Sequence, residues 1–312
     1  MHHPRSHVSI ALAAAIYALS ACGPVAADVG NTATGRDTIC PSAPTSSGRL
    51  DCAHLPLGDL RYSTEGPRKG TIFLCRAPRR SHPVVGYAPW LDGDTWNAYA
   101  KLAVRGRASW NGAFTEHIAG DTRTIVADGV PTAPATTGAF PISPSDPAFA
   151  YDRNPNSIAS YDIDLSLPAN PSVAEQPGCL HGGAIGIATD GVAIYDAFDA
   201  AGYDGVAHEV QDACHGHPDR SSTYHYHGWL QTCVRDDGSA TRDSSLLGYA
   251  LDGFGIYGPW YHGKILTSAD LDVCHGITSP VRWNGRVVRI YHYVSTYDFP
   301  YTLGCYRGSV GG

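Results

Sequence analysis

Histidine is concentrated in one short segment of the chain. Five of the fifteen histidines lie in the twenty residues 208–227, and this segment ends in the tetrapeptide YHYH at 224–227. Neutral imidazole is a common ligand of zinc and copper, so a density of this kind is typical of a transition-metal site. The alternative is a tyrosine-rich polar core or a surface in which the same imidazoles only form hydrogen bonds.

The tetrapeptide itself predicts a β-strand. Alternate side chains of a strand point to opposite faces, so His225 and His227 would share one face, roughly 6 to 7 Å apart along the backbone. The two tyrosines would pack on the other face. A hairpin-like return through residues 219–222 would bring a second His-x-His pair close to the first. The sequence therefore predicts zinc or copper as the ion, and as its ligands His215, His217, His225 and His227.

Two carboxylates lie close to these histidines in the sequence. Glu209 and Asp212 are candidates for a metal ligand, for a general base or for a hydrogen-bond partner of a ligating imidazole. A calcium site would need several carboxylate and carbonyl oxygens instead. Asp212 and Asp252 are the predicted supporting partners, and the alternative for Asp212 is an ordinary turn residue. If the site is catalytic, Glu209 and Asp212 are the candidates for catalysis.

A loose internal echo extends the set of candidates. The tripeptide CHG, the tripeptide YHY and a cysteine occur in that order at 214–233 and again at 274–305, with different spacings. Duplication is one reading of this pattern, which the sequence alone leaves open. The second tier of candidates for the metal site comprises His181, His208, Asp252, His275 and His292.

Three other kinds of active site are disfavoured. The segment LDGFGIYG at 251–258 contains a nominal G-x-G-x-x-G, but Pro259 and two aromatic residues follow it where a dinucleotide-binding unit would open a helix. The chain has no G-x-S-x-G nucleophile elbow. It also has no C-x-x-C pair, which disfavours a thiolate zinc cluster or a redox centre. We therefore predict no organic cofactor.

The first residues are typical of export. Residues 1–21 combine Arg5 with a short apolar stretch and end in LSAC at 19–22, which predicts a signal peptide that closes on a bacterial lipobox. Cys22 would then carry lipid and anchor the protein to the cell envelope, with residues 22–47 as a small, polar tether. An ordinary cleavage site at 25–27 would give a secreted protein instead.

Cysteine usage and charge agree with an extracytoplasmic location. Beside Cys22, eight of the nine cysteines remain, and an even set in an exported protein predicts disulfides. Sequence alone does not give their pairing, although proximity suggests Cys214 with Cys233 and Cys274 with Cys305. The formal net charge of −7, without a basic run, disfavours nucleic acid as a partner. The predicted partners are the metal ion and, through Cys22, the membrane; protein partners are not identified.

The remaining chain predicts a mainly β fold, stabilised by disulfides, with irregular loops and few short helices. Short apolar runs rich in β-branched residues alternate with glycine-rich turns from residue 179 onward. Residues 48–123 form an unassigned β-rich segment, in which 94–104 is the best candidate for a short helix, with Asp94 as its N-cap. Residues 131–171 are predicted to be a long surface excursion.

Several separated motifs together carry a family resemblance. The segments DACHGHP, YHYHG, LGYALDGFGIYG, YHYV and FPYTLGCYRG occur in this order, and over roughly residues 124–308 the chain resembles the YHYH domain family. The resemblance implies an exported protein and no firmly assigned reaction. The residues matched are His217, His225, His227, Asp212, Cys214, Cys233, Asp252, Gly253, Gly258, Pro300, Gly304 and Cys305.

Three functions are consistent with these observations. The first is an exported, membrane-tethered protein whose closed histidine site binds or captures a transition metal. The second is a metal-dependent extracytoplasmic hydrolase or oxidoreductase, in which three protein ligands leave one position of the metal open. The third is a structural envelope domain whose histidines bind no metal. Histidines that converge in a closed site would favour the first, and a cleft with an adjacent carboxylate the second.

Overall fold

The computed structural model describes residues 40–310, except residues 42, 80, 133 and 134. The predicted signal peptide, Cys22 and most of the predicted tether lie outside the described residues. Within the described part, no helix is long and apolar enough to cross a membrane.

Short β-strands dominate the described residues, which confirms the predicted mainly β fold. The strands are β1 Pro44–Thr45, β2 Gly48–Arg49, β3 Leu55–Pro56, β4 Tyr62–Ser63, β5 Ile72–Phe73, β6 Leu91–Asp92, β7 Thr95–Trp96, β8 Ala108–Ser109, β9 Phe114–Ala119, β10 Thr122–Ala127, β11 Thr136–Thr137, β12 Ile163–Pro168, β13 Ala184–Ala188, β14 Ala193–Tyr195, β15 Gly216–Pro218, β16 Tyr224–Tyr226, β17 Leu246–Ala250, β18 Gly255–Tyr257, β19 Trp260–Tyr261, β20 Lys264–Ile265, β21 Gly276–Trp283 and β22 Arg286–Val294. One α-helical turn, α1, spans Gly205–His208, and 3-10 turns span Pro147–Ala150, Leu230–Thr232 and Ser268–Asp270.

An eight-stranded sheet forms the centre of the fold. Its strand order is β15-β16-β14-β13-β17-β18-β22-β21. Neighbouring strands are antiparallel except for the pairs β14/β16 and β18/β22, which are parallel. The order on one side of the central β13/β17 pair therefore repeats on the other side.

A smaller sheet packs on this one through a buried arginine. Strands β12, β10 and β9 form a three-stranded antiparallel sheet, and Arg123 on β10 is 1% exposed. The Arg123 guanidinium lies 4.2 Å from the ring centre of Tyr249 and 4.7 Å from that of Trp283, and it pairs with Glu116. A buried cation needs such partners because an unpaired charge is costly to remove from water.

Two predictions for the first half of the chain were wrong. The expected helix at 94–104 is absent, because Thr95 and Trp96 form β7, which pairs with β3 and β6. Trp96 is 1% exposed and packs beside Trp229, and this tertiary burial outweighs the local helical preference. The expected surface excursion at 131–171 contains β11, a 3-10 turn and β12, and it buries Ile142 and Ala148 in a small core around Trp90.

Four disulfides join the eight described cysteines. The structure contains both pairs suggested by proximity, Cys214–Cys233 and Cys274–Cys305. The other two pairs are Cys40–Cys52 and Cys75–Cys179. The last of these connects the N-terminal β-rich segment with the part of the chain that contains the central sheet, and disulfides of this number are typical of an extracytoplasmic environment.

Candidate metal centre

The predicted hairpin positions the histidines. Strands β15 and β16 are antiparallel, with His217 directly opposite His225, and the turn between them is held by Asp219, whose carboxylate accepts from the backbone of Ser221 and Thr223. Gly216 permits the pairing, since a Cβ there would lie 2.3 Å from the Tyr224 hydroxyl oxygen. The expected return of the chain therefore exists, and it brings one upstream histidine to the tetrapeptide.

The two faces of the tetrapeptide separate as the strand period requires. The Tyr224 hydroxyl donates to Asp212 over 2.8 Å, and the Tyr226 hydroxyl donates to Asp190 over 2.8 Å. On the other face, candidate ligand atoms of His217, His225 and His227 all lie within 4.8 Å of one another. These three histidines are only 3–4% exposed, so they form a buried cluster.

Backbone carbonyls fix the orientation of two imidazoles. The Nδ1 atom of His225 lies 3.1 Å from the carbonyl oxygen of Thr223, and that of His227 lies 2.5 Å from the carbonyl oxygen of Asp196. A carbonyl oxygen only accepts, so both Nδ1 atoms carry hydrogen. The two Nε2 atoms face each other at 3.1 Å. Their lone pairs repel each other unless a cation, either a proton or a metal ion, lies beside them.

The third histidine has no hydrogen-bond partner. Both ring nitrogens of His217 are buried and form no hydrogen bond. Buried polar atoms are nearly always hydrogen-bonded, and leaving one unpaired costs about 1–3 kcal/mol. A metal ion bound by one of these nitrogens would remove that cost.

Glu209 is the carboxylate that reaches the histidine cluster. Its Oε2 atom lies 3.0 Å from Nε2 of His227 and 3.4 Å from Nε2 of His217, and its side chain is 13% exposed. It follows directly on α1, whose N-cap Asp204 accepts from the backbone of Ala207. The helical turn thus presents Glu209 to the hairpin, where its carboxylate lies beside two of the three clustered imidazoles.

The electrostatics keep two of the three imidazoles neutral; burial opposes protonation of His227, but the Glu209 carboxylate beside it raises the pKa of this histidine. Burial, together with the neighbouring imidazoles, lowers the pKa of His217 well below its usual value, and burial likewise lowers the pKa of His225. Both imidazoles are therefore neutral at ordinary pH, as metal ligation requires. Burial also raises the pKa of Glu209, which a cation in the cluster would oppose.

The structure does not bring His215, His208 or Asp212 to this cluster. His215 adopts a left-handed backbone with φ 60°, and its ring lies 4.7 Å from that of Trp229. The ring nitrogens of His208 contact Asp59 and the carbonyl oxygen of Val85. Asp212 accepts from Tyr224 on the opposite face of β16, and from backbone N–H groups that include that of Gly138.

The other second-tier candidates also lie elsewhere. Asp252 accepts from the Tyr293 hydroxyl and from the backbone of Arg307 and Gly308. His275 contacts the Thr296 hydroxyl over 2.9 Å, and His292 donates from Nδ1 to the carbonyl oxygen of Ile290. His181 is exposed. Cys22, the predicted lipidation site, lies outside the described residues.

Two contributors to the site were missed in the sequence. The Tyr195 ring stacks on that of His225 with 3.9 Å between ring centres, and the backbone of Asp196 accepts from His227. Both follow from the parallel pairing of β14 with β16. The apolar runs from residue 179 onward predicted strands, but no local signal indicates that β14 lies beside the tetrapeptide.

One pH-dependent prediction concerns Asp204, the residue that caps α1. Burial raises its pKa to about 6, although hydrogen bonds from Tyr301 and Gly58 oppose the shift. The folded protein therefore binds this proton more tightly than the unfolded chain, so the stabilisation is present in acid and is lost as pH rises to about 6. In metal-free protein, we expect the unfolding free energy of wild type, relative to Asp204→Asn, to fall by about 2 kcal/mol between pH 4 and 7. Urea titrations measure it, and parallel pH profiles would contradict the assignment.

Comparison with known proteins agrees with the motifs. Residues 164–266 match the family model described as YHYH protein. A search of curated proteins finds no match to the chain, and a search of solved structures finds none. The matched segment contains Glu209 and the hairpin of β15 and β16, whereas the wider limits 124–308 stay a prediction. The chain therefore contains a segment that matches the YHYH family model, and the three buried histidines lie inside this segment.

Proposed function

We propose that this chain is an exported, membrane-tethered protein whose YHYH domain binds one transition-metal ion. Export is supported by the apolar N-terminal segment and by the four disulfides. The tether rests on the LSAC motif that ends at Cys22.

The tether has its own test. With Cys22→Ser, we expect the protein to move from the detergent-extracted membrane fraction to the soluble extracytoplasmic fraction. Cell fractionation and mass spectrometry of the N-terminal peptide measure this. A wild-type protein that is soluble and carries no lipid would favour secretion.

One observation carries the proposal of a metal site. The Nε2 atoms of His225 and His227 face each other at 3.1 Å while both Nδ1 atoms donate to backbone carbonyls. Two nitrogens of a tetrahedral zinc or copper site, each about 2.0–2.1 Å from the ion, lie roughly 3.3 Å apart. The observed separation is close to that value, so only small movements would be needed for ligation.

The proposed ligands are His217, His225, His227 and Glu209. Three imidazole nitrogens and one carboxylate oxygen suit zinc or copper, and too few oxygens are present for calcium. The backbone carbonyls of Thr223 and Asp196 would hold two of the rings in place, as hydrogen-bond partners of ligating histidines commonly do. The bound ion would remove the repulsion between the Nε2 atoms of His225 and His227. It would also compensate the negative charge of the buried Glu209 carboxylate.

The burial of the site favours metal binding or capture over catalysis. A catalytic zinc keeps one coordination position open, whereas four protein ligands close the shell. The histidines are 3–4% exposed, and the Tyr195 ring covers His225 from one side. A closed shell of this kind holds an ion and leaves no position for a substrate.

The deciding experiment is elemental analysis of the full chain, purified without a histidine tag. We expect close to one equivalent of zinc or copper in the wild type and none in the folded double variant His225→Ala/His227→Ala. The matched control is His275→Ala/His292→Ala, which removes two equally buried histidines, one just before β21 and one on β22, and keeps the metal. A wild type that is metal-free and takes up neither ion would refute the proposal and favour a structural envelope domain.

A further inference from the structure

The two halves of the eight-stranded sheet are built alike. Outward from the centre, one half runs β13, β14, β16, β15 and the other runs β17, β18, β22, β21. In each half, successive neighbours pair antiparallel, then parallel, then antiparallel. The repeat therefore includes strand direction as well as strand order.

The register of the strands repeats residue by residue. The hairpins β13–β14 and β17–β18 each contain one irregularity, at the same place. The pair Gly186↔Ile194 in the first half corresponds to Gly248↔Ile256 in the second. In the same way, Ile194↔Tyr226 corresponds to Ile256↔Tyr293, and His217↔His225 corresponds to Ile277↔His292. This match equates YHY at 224–226 with YHY at 291–293.

Side-chain contacts that sheet geometry does not require repeat as well. The hydrogen bond Tyr226–Asp190 corresponds to Tyr293–Asp252, and the hydrogen bond Tyr224–Asp212 corresponds to Tyr291–Asp272. The disulfide Cys214–Cys233 likewise corresponds to Cys274–Cys305. His215 and His275, which follow the first cysteine of each disulfide, both adopt a left-handed backbone, with φ 60° and 69°. A left-handed backbone is uncommon outside glycine, so its recurrence at equivalent positions is a strong mark of common origin.

The proposed metal ligands have equivalents in the second half, and all but one are apolar. The register places Ile277 where His217 stands and His292 where His225 stands. Val294 follows the second YHY as His227 follows the first, and Ala269 precedes Asp272 by the same three residues that separate Glu209 from Asp212. The equivalents of the four ligands are therefore Ala269, Ile277, His292 and Val294.

The remaining histidine keeps the backbone hydrogen bond of its counterpart, although Tyr257 meets its ring edge-on at 69° where Tyr195 stacks on His225 at 20°. The Nδ1 atom of His292 lies 3.2 Å from the carbonyl oxygen of Ile290, as that of His225 lies 3.1 Å from that of Thr223. Its ring packs against Tyr257, the residue equivalent to Tyr195, with 4.9 Å between ring centres. His292 is 3% exposed. The backbone hydrogen bond and the burial of this imidazole thus persist where the other ligands are missing.

From these correspondences we infer that the sheet arose by tandem duplication and that its second half contains a vacated copy of the metal site, marked by His292. The inference rests on the proposed function for the identity of the ligand, a transition-metal ion. It predicts that restoring the two lost histidines gives the chain a second site.

The experiment is the double variant Ile277→His/Val294→His in the full chain. We expect zinc bound at saturation to rise from one to two ions per chain, measured by elemental analysis after gel filtration. The matched control adds His292→Ala to the double variant and should return to one ion. A folded double variant that still binds one ion would overturn the inference.

A second experiment, in a variant that lacks the first metal site, tests the inference independently of the proposed function. The same two substitutions are placed in His225→Ala/His227→Ala, where the first site is removed. One ion bound there supports the vacated copy, even if the wild type proves metal-free and the proposed function fails. No ion bound there, with one bound by the wild type, overturns the inference and leaves the proposed function intact.

Val294 is 1% exposed, so histidine at this position can prevent folding. In that case the single variant Ile277→His provides a cross-strand pair with His292, because Ile277 is only half-buried. We expect 1 mM zinc to raise the melting temperature of Ile277→His by several degrees more than that of Ile277→His/His292→Ala, both in the background without the first site. Equal shifts in the two variants would overturn the inference.

Discussion

Removal of the proposed metal ion should lower the melting temperature of this protein by roughly 8–16 °C. An ion held by four ligands stabilises the folded state by about 4 kcal/mol when its free concentration is 1,000 times its dissociation constant. For a chain of this size, each kcal/mol shifts the melting temperature by about 2–4 °C. Calorimetry before and after chelation, and after the ion is returned, measures the shift.

Two single variants control this measurement. His217→Ala should abolish the difference between chelated and metal-loaded protein, and it costs no hydrogen bond because neither ring nitrogen of His217 forms one. His292→Ala removes the histidine of the other half that corresponds to His225, and it should retain the full shift. A chelator that lowers the melting temperature of His217→Ala as much as that of wild type would place the metal elsewhere.

Loss of the Cys75–Cys179 disulfide should have the largest effect of the four. A disulfide restricts the unfolded chain more when it closes a longer loop, and this pair is separated by 104 residues against 12 for Cys40–Cys52. In the chain-entropy account, we expect Cys75→Ser/Cys179→Ser to lower the unfolding free energy by about 4.7 kcal/mol and Cys40→Ser/Cys52→Ser by about 3 kcal/mol.

The other two disulfides complete the series. Their separations are 31 residues for Cys274–Cys305 and 19 for Cys214–Cys233, so their removal should have intermediate effects. Denaturant unfolding under non-reducing conditions measures all four double variants. The reverse order would mean that native contacts, rather than the entropy of the unfolded chain, decide what each disulfide contributes.

The histidine cluster shows which contacts strand periodicity and turn residues can predict from the sequence. The two-residue period of a strand predicts that His225 and His227 share a face, and a short polar turn predicts the antiparallel return that places His217 opposite His225. The same reasoning grouped His215 with them. It could not foresee that the residue after Cys214 leaves the strand conformation, with φ 60°, and turns its ring onto Trp229.

The sequence by itself determined the class of fold, the density of histidine and the family motif, because strand periodicity and residue chemistry are local properties of the chain. Only the tertiary structure decided which groups meet. Glu209 reaches His227 because α1 ends beside the hairpin, and Tyr195 covers His225 because β14 pairs in parallel with β16. The helix predicted at 94–104 gives way to β7 because Trp96 gains more by burial. Contacts between distant segments depend on the packing of the whole chain, which no short pattern encodes.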